Sequence, residues 1–186
     1  MVQQTQAPRR LFYQRLFAVN AFGFIFFLLS FRFGGHVSVQ SLSVQFALAV
    51  HFTMFALWIG ALYPLLTISR TEQVAELKVS LERFSKHAVL IVSLLLLSGL
   101  TMMLSLIHSM AELFTTAYGV ALTLKILLVI GLLGIAAVNK LIIVPRLLLQ
   151  ADAAHFQRSV RVEIAVAVIL LLLTAYLSTA LGPAMH

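Results

Sequence analysis

Long apolar stretches dominate the sequence, and shorter polar segments separate them. A run of about 18 or more apolar residues is typical of a helix that crosses a bilayer. The pattern therefore predicts an all-α integral membrane protein whose first partner is the lipid bilayer. The predicted bundle has five transmembrane helices, at residues 11–33, 43–68, 87–108, 117–143 and 160–182.

The composition supports this fold class. Of the 186 residues, 61% are hydrophobic and 10% are charged, whereas a soluble domain has about 25% charged residues. Residues 1–10, with three Gln and one Pro, are predicted to form a short cytoplasmic tail. The absence of cysteine from the sequence excludes disulfides and thiolate metal sites. A bound metal would therefore need His, Met, carboxylate or backbone oxygen ligands.

The positions of Lys and Arg predict the orientation of the bundle. The N-terminal segment has three of them, and the second-to-third and fourth-to-fifth connections have four each, which makes eleven on one side. The opposite side has Arg32 alone, and Lys125 lies within the fourth span. Because positively charged loops stay in the cytoplasm, the N-terminus is predicted to be cytoplasmic and the C-terminus to lie on the outer side.

The formal net charge of +7 does not indicate nucleic-acid binding. The basic residues lie singly beside apolar runs and form no basic stripe of the kind that nucleic acid requires. No P-loop, other ATP-binding motif or nucleophile motif is visible in the sequence, so ATP-driven pumping is not expected. The protein is predicted not to be an enzyme.

The second predicted span has a polar residue inside the bilayer. His51 lies eight residues into this span, a depth of roughly 12 Å at 1.5 Å per residue. Met54 and Trp58 follow at i+3 and i+7, on the same helix face. Imidazole and thioether ligands suit Cu(I), so His51 and Met54 are candidate metal ligands. The alternative is a His hydrogen-bonded to a neighbouring helix with Met as apolar filler, and spacing alone favours it.

Two further ionisable residues lie within predicted spans. Lys125 is also eight residues into its span, at the predicted depth of His51. In a structural role, its side chain either extends toward the outer surface or bonds backbone carbonyls. In a functional role, it tunes the charge of a site beside His51 or takes part in proton movement. Glu163 lies near the inner face, at a depth similar to Asn139 and Arg83. A structural ion pair between Glu163 and Arg83 or another base is the favoured interpretation, and a proton or ion exit is the alternative.

Side chains able to bind metal collect on the predicted outer side. They lie in the two outer loops, at the C-terminus and at the outer end of the third span, although their spacing is not diagnostic of a site. The candidate outer ligands are His36, His108, Met103, Met110, Met185 and His186.

From about residue 43 to the end, the sequence resembles the CopD family of copper-resistance membrane proteins. The resemblance rests on the order and spacing of several short motifs. These are His51 with Trp58-Ile59-Gly60, Arg83-Phe84-Ser85, Ser98-Gly99, Tyr118-Gly119, Lys125, Asn139 with Pro145, Glu163 and Pro183.

This resemblance implies copper handling at the bacterial inner membrane, with uptake from a periplasmic carrier of the CopC type. Members of the family typically have about eight spans. Residues 43–186 would then be the CopD-like four-helix domain, and residues 11–42 an additional helix with its outer loop. The missing N-terminal spans imply that the protein either lacks part of the transport route or forms a homo-oligomer.

The combined hypothesis is copper import, in which the outer His and Met residues pass copper to a deeper site at His51. One alternative is a haem-binding electron-transfer protein, with His51 and one of Met102, Met103 or His108 as axial ligands. The other alternative is a scaffold subunit of a membrane complex that transports nothing.

Overall fold

The computed structural model describes residues 20–27, 29, 41–71, 74–107, 109–147 and 150–181. Within these ranges the chain is almost entirely helical and contains no strand. The described helices are α1 (residues 20–27), α2 (Leu42–Thr71), α3 (Val74–Leu106), α4 (Glu112–Thr115), α5 (Ala117–Val138) and α6 (Gln150–Thr179). A π-helical turn, Asn139–Ile143, continues α5.

Four of the described helices are long and apolar enough to cross a membrane. These spans are Leu42–Arg70, Ala75–Leu106, Ala117–Ile143 and Ala153–Thr179. They correspond to the second to fifth predicted spans, and the protein is a multi-pass membrane protein. Most of the first predicted span lies outside the described residues, so the count of five and the orientation of the termini stay predictions.

The chain divides into two compact units, residues 1–49 and residues 50–186. In the first unit, the rings of Phe22 and Phe26 lie one above the other on α1, with centroids 4.8 Å apart. The second unit contains both buried clusters that position the candidate site.

The second unit is held together by two apolar clusters at different levels of the bundle. The first joins α2, α3 and α6 with the segment after the π turn, and is centred on Leu77 and Leu147. The second joins α2, α3, α5 and α6, and is centred on Trp58 and Leu132. Many large apolar side chains elsewhere on the helices are exposed, as expected where a helix faces lipid rather than protein.

The alternation of charged and apolar residues at 70–86 predicts a surface helix, amphipathic or plainly solvated, separate from the third span. In the structure α3 runs without a break from Val74 to Leu106, so its first turns continue directly into the span. Leu77 and Leu81 are buried in the first apolar cluster, while Glu76 and Glu82 are exposed. The amphipathic pattern therefore arises because this end of α3 packs against protein.

The short helix α4 is held tightly against the start of α5. Thr116 caps α5 by accepting a hydrogen bond from the backbone N–H of Gly119. Thr123 Oγ1 donates to the backbone oxygen of Leu113 at 3.1 Å. A Cβ on Gly119 would lie 1.9 Å from the backbone oxygen of Glu112, so only glycine permits this approach.

Candidate functional site

His51 is fixed by hydrogen bonds to α3. Its Nδ1 lies 3.0 Å from the backbone oxygen of Leu95 and 3.3 Å from Ser98 Oγ. A carbonyl oxygen can only accept, so Nδ1 carries the hydrogen and donates it. The hydroxyl of Ser98 donates in turn to the backbone oxygen of Leu94, at 2.7 Å. Both contacts to His51 therefore agree with one tautomer.

This tautomer leaves a lone pair on Nε2 of the neutral ring. Both hydrogen bonds of His51 to described residues use Nδ1. A histidine that ligates a metal almost always donates its other ring N–H to a carboxylate, a carbonyl or water, which fixes the ring and raises its basicity. The arrangement of His51 and Leu95 has this form.

Gly99 allows the imidazole to approach α3. A Cβ at residue 99 would lie 3.1 Å from Cε1 and 3.3 Å from Nδ1 of His51. These distances are shorter than ordinary van der Waals contact, so a larger residue would push the ring away from Leu95. Ser98-Gly99 thus supplies a small surface on which the ring rests.

The residues that follow His51 along α2 lie in the apolar core. Trp58 is buried in the second apolar cluster, and Met54 packs against that cluster. The position of Met54 agrees with the filler role as well as with a ligand role. Its thioether would need only a rotamer change to turn from the cluster toward a metal, because methionine has three rotatable side-chain bonds.

Lys125 on α5 lies close enough to His51 for the two groups to interact electrostatically. Its side chain is half-buried. The sequence placed the two residues at one depth, and the structure brings them into one region of the bundle. A cation at this position would repel a second cation bound beside the ring.

The outer candidate ligands fall into two groups. Met103 at the end of α3 and Met110 before α4 line the same cavity, of about 230 Å³, whose other walls are apolar apart from Ser109. Two thioethers in an apolar pocket suit a soft cation such as Cu(I).

The remaining predicted outer ligands, His36, His108, Met185 and His186, lie outside the described residues. Within the described part of the chain, no group of three or more His, Asp or Glu residues could hold a metal.

A second polar site lies between the π turn and α6. Asn139 and Glu163 are 6% and 3% exposed, and Asn139 Nδ2 donates a hydrogen bond to Glu163 Oε1. Asn139 Oδ1 is buried and has no hydrogen-bond partner among the described residues. Asn139 also begins the π turn, in which its backbone oxygen accepts from the N–H of Val144 at 2.9 Å.

The expected ion pair between Glu163 and Arg83 is not present. Arg83 is exposed, as are the neighbouring Lys86 and His87. The hydrogen-bond partner of Glu163 is Asn139 instead. The error arose because residues at similar depth on different helices can point in different directions, and the sequence does not give the rotation of each helix about its axis.

Sequence reasoning did not assign Leu95 a role, although its backbone oxygen holds His51. Every residue has a backbone carbonyl, so the type of side chain at residue 95 could not identify it as the acceptor for His51. The adjacent small residues Ser98 and Gly99 were the available indication, because small residues in a transmembrane helix let another helix approach closely.

No curated protein and no solved structure matches the chain. The family model described as Copper resistance protein D matches residues 78–177, which is more than half of the 186 residues. The matched segment contains Lys125, Asn139 and Glu163, while His51 precedes it. With its four apolar membrane-spanning helices, the chain belongs to the CopD family of copper resistance proteins.

Proposed function

We propose that this protein imports copper across the bacterial inner membrane, with copper as its cargo and His51 as the central ligand. The observation that carries the proposal is the hydrogen bond from His51 Nδ1 to the backbone oxygen of Leu95. It directs the lone pair of Nε2 away from α3 and holds the ring in a form ready to bind a cation. Family membership supplies the identity of that cation.

In the proposed route, the cavity between Met103 and Met110 receives copper at the outer side. Thioethers suit Cu(I) and bind hard cations such as Ca²⁺ or Mg²⁺ poorly, so this cavity would select for the soft ion. The four candidate ligands outside the described residues, His36, His108, Met185 and His186, would add to this outer set. A periplasmic carrier of the CopC type is the proposed donor.

The deeper step transfers copper to His51, with Met54 as the proposed second ligand. Lys125 would limit how long the cation stays there, because two positive charges at close range repel each other in a medium of low dielectric constant. A transport site must bind its cargo well enough to admit it and weakly enough to release it. The proposed route requires no enzymatic step.

The decisive experiment is the metal and haem content of detergent-purified protein, measured by elemental analysis and an absorption spectrum. Wild type is compared with His51→Ala and with His87→Ala. His87 is a matched control, because its Nδ1 also lies near a backbone oxygen, that of Arg83 at 3.1 Å, while its side chain is exposed.

Copper bound by wild type and His87→Ala but lost in His51→Ala would support the proposal. A Soret band that depends on His51 would instead support the haem-binding electron-transfer function. The absence of both copper and haem from all three proteins would support a scaffold subunit. Equal copper content in all three proteins would remove His51 from the site.

A further inference from the structure

Glu163 and Asn139 form a buried polar pair that the copper route does not use. Glu163 lies on α6 and Asn139 at the start of the π turn, and each is more than nine-tenths buried. The amide donates to one carboxyl oxygen of Glu163. Its own oxygen, Oδ1, is left without a donor among the described residues, although buried polar atoms are nearly always hydrogen-bonded.

Besides the unpaired Asn139 Oδ1, the negative charge of an ionised Glu163 would also lack a partner at this place. Within the described part of the chain, the carboxyl group has Asn139 as its hydrogen-bond partner and no salt bridge. The basic residues on the elements that pack around it are directed elsewhere. Lys78 donates to the backbone oxygen of Pro145. The exposed ones are Arg70, Arg83, Lys86, His87, Lys140, Arg146, His155, Arg158 and Arg161. Of the other two, which are half-buried, His51 donates to the backbone oxygen of Leu95, and Lys125 lies 14 residues before Asn139 along α5, a distance of about 20 Å. An ionised carboxylate would therefore be buried without a counter-ion, which is strongly unfavourable.

A single proton bound to Glu163 would both remove the buried charge and supply a hydrogen-bond donor for Asn139 Oδ1. Protonation makes the carboxyl group neutral and gives it an O–H donor. The orphaned Asn139 Oδ1 lies on the same amide that already contacts Glu163 Oε1, so a neutral acid and an amide can exchange two hydrogen bonds. A hard metal ion fits less well, because Ca²⁺ and Mg²⁺ take about six or more oxygen ligands, and this pair supplies at most three side-chain oxygens.

We propose that Glu163 and Asn139 form a proton-binding site within the transmembrane bundle, in which Glu163 binds the proton and Asn139 positions it. On binding, an O–H bond forms at a carboxylate oxygen of Glu163, the proton comes from hydronium, and water is left behind. Release is the reverse step. Ionisable residues inside membrane bundles commonly form proton relays, and π turns occur frequently at functional sites.

Infrared spectroscopy of the full-length, metal-free protein in detergent tests this site independently of copper. A protonated carboxyl group has a C=O stretching band that an ionised carboxylate lacks. Spectra are recorded across a pH titration for wild type, Glu163→Gln, Glu82→Gln and Asn139→Leu. Glu82 is the matched control, because it is an exposed carboxylate on α3.

We expect wild type and Glu82→Gln to retain a neutral-carboxyl band at a pH where exposed carboxylates are ionised. The band should be absent from Glu163→Gln, in which an amide replaces the neutral acid at nearly the same volume. In Asn139→Leu the band should move to higher wavenumber, because the hydrogen bond from Nδ2 is lost.

A wild-type protein without this band, or a band that survives in Glu163→Gln, would overturn the proposal. A band that keeps its wavenumber in Asn139→Leu would overturn the positioning role of the amide. Should Glu163→Gln not purify, the shift in Asn139→Leu still assigns the band. None of these outcomes depends on whether His51 binds copper, so the two proposals can fail separately.

Discussion

The imidazole of His51 donates from Nδ1 to the backbone oxygen of Leu95 at 3.0 Å, across two neighbouring transmembrane helices. The acceptor is a backbone carbonyl, so a substitution of the Leu95 side chain would not remove it. The contact lies in the second unit, next to the buried cluster of Trp58 and Leu132. The candidate metal ligand is thus held by a backbone group beside a buried apolar cluster, which favours a preorganised site over an adaptable one.

The first prediction concerns the space that Gly99 leaves for the His51 ring. In Gly99→Ala the added Cβ would lie 3.1 Å from Cε1, so the ring has to move away from α3 and its hydrogen bond to Leu95 weakens. Changes to the groups that orient a metal ligand typically reduce affinity about 10–100-fold. We expect a loss of copper affinity in this range, measured by competition with a chelator on the purified protein.

Gly131→Ala and Gly134→Ala are the controls for this prediction, because a Cβ at either position meets nothing within 4 Å. Both variants should bind copper as wild type does. Equal affinity in Gly99→Ala and the controls would mean that the position of the His51 ring does not determine copper binding.

The second prediction concerns membrane topology. A reporter fused to the C-terminus should be active on the periplasmic side and inactive in the cytoplasm, since eleven Lys and Arg residues lie on one predicted side and Arg32 alone on the other. A reporter fused between α2 and α3 should show the reverse activity. A C-terminal fusion that is active in the cytoplasm would contradict the predicted orientation of the bundle.

The existence and order of the four described spans could be predicted from the sequence, because hydropathy depends on composition along one helix at a time. Their limits were only partly correct, since the third and fifth spans, predicted to start at residues 87 and 160, begin at Ala75 and Ala153. The partner of Glu163 could not be predicted, because it depends on how α6 and the π turn rotate toward each other. The π turn at Asn139–Ile143 contains no proline or glycine, and Pro145, two residues beyond it, predicts a helix end rather than a π turn. Residues such as His51 and Lys125 were identifiable because polar groups are rare within apolar spans, yet the backbone oxygen of Leu95 that holds His51 could not be identified from side-chain chemistry.

The third prediction concerns the contact between α4 and α5. A Cβ at residue 119 would lie 1.9 Å from the backbone oxygen of Glu112, and backbone atoms cannot yield as a flexible side chain does. Gly119→Ala should therefore separate α4 from α5 and destabilise the protein by about 1–3 kcal/mol, the usual cost of overpacking. Thermal unfolding in detergent, followed by circular dichroism, measures the effect.

Gly131→Ala again serves as the control for Gly119→Ala, since it lies on the same helix α5 with open space around it. A helix-interior alanine should leave its stability unchanged or raise it slightly, by up to about 1 kcal/mol. If Gly119→Ala unfolds at the same temperature as this control, α4 is not held against α5 in the way the structure describes.

The fourth prediction concerns the cavity lined by Met103 and Met110. Replacing both with Leu keeps the apolar volume but removes both thioethers, so the fold should be retained while the cavity loses its attraction for Cu(I). We expect slower copper uptake into proteoliposomes at limiting copper, by several-fold, with the copper bound at His51 at saturation unchanged.

Met102→Leu is the matched control, because Met102 is adjacent in sequence but does not line the cavity. Equal uptake rates for the double variant and this control would remove the cavity from the copper route. A loss of the copper bound at His51 at saturation would instead show that the thioethers belong to the deeper site, since residues that only admit copper change the rate at which His51 fills and not its final occupancy.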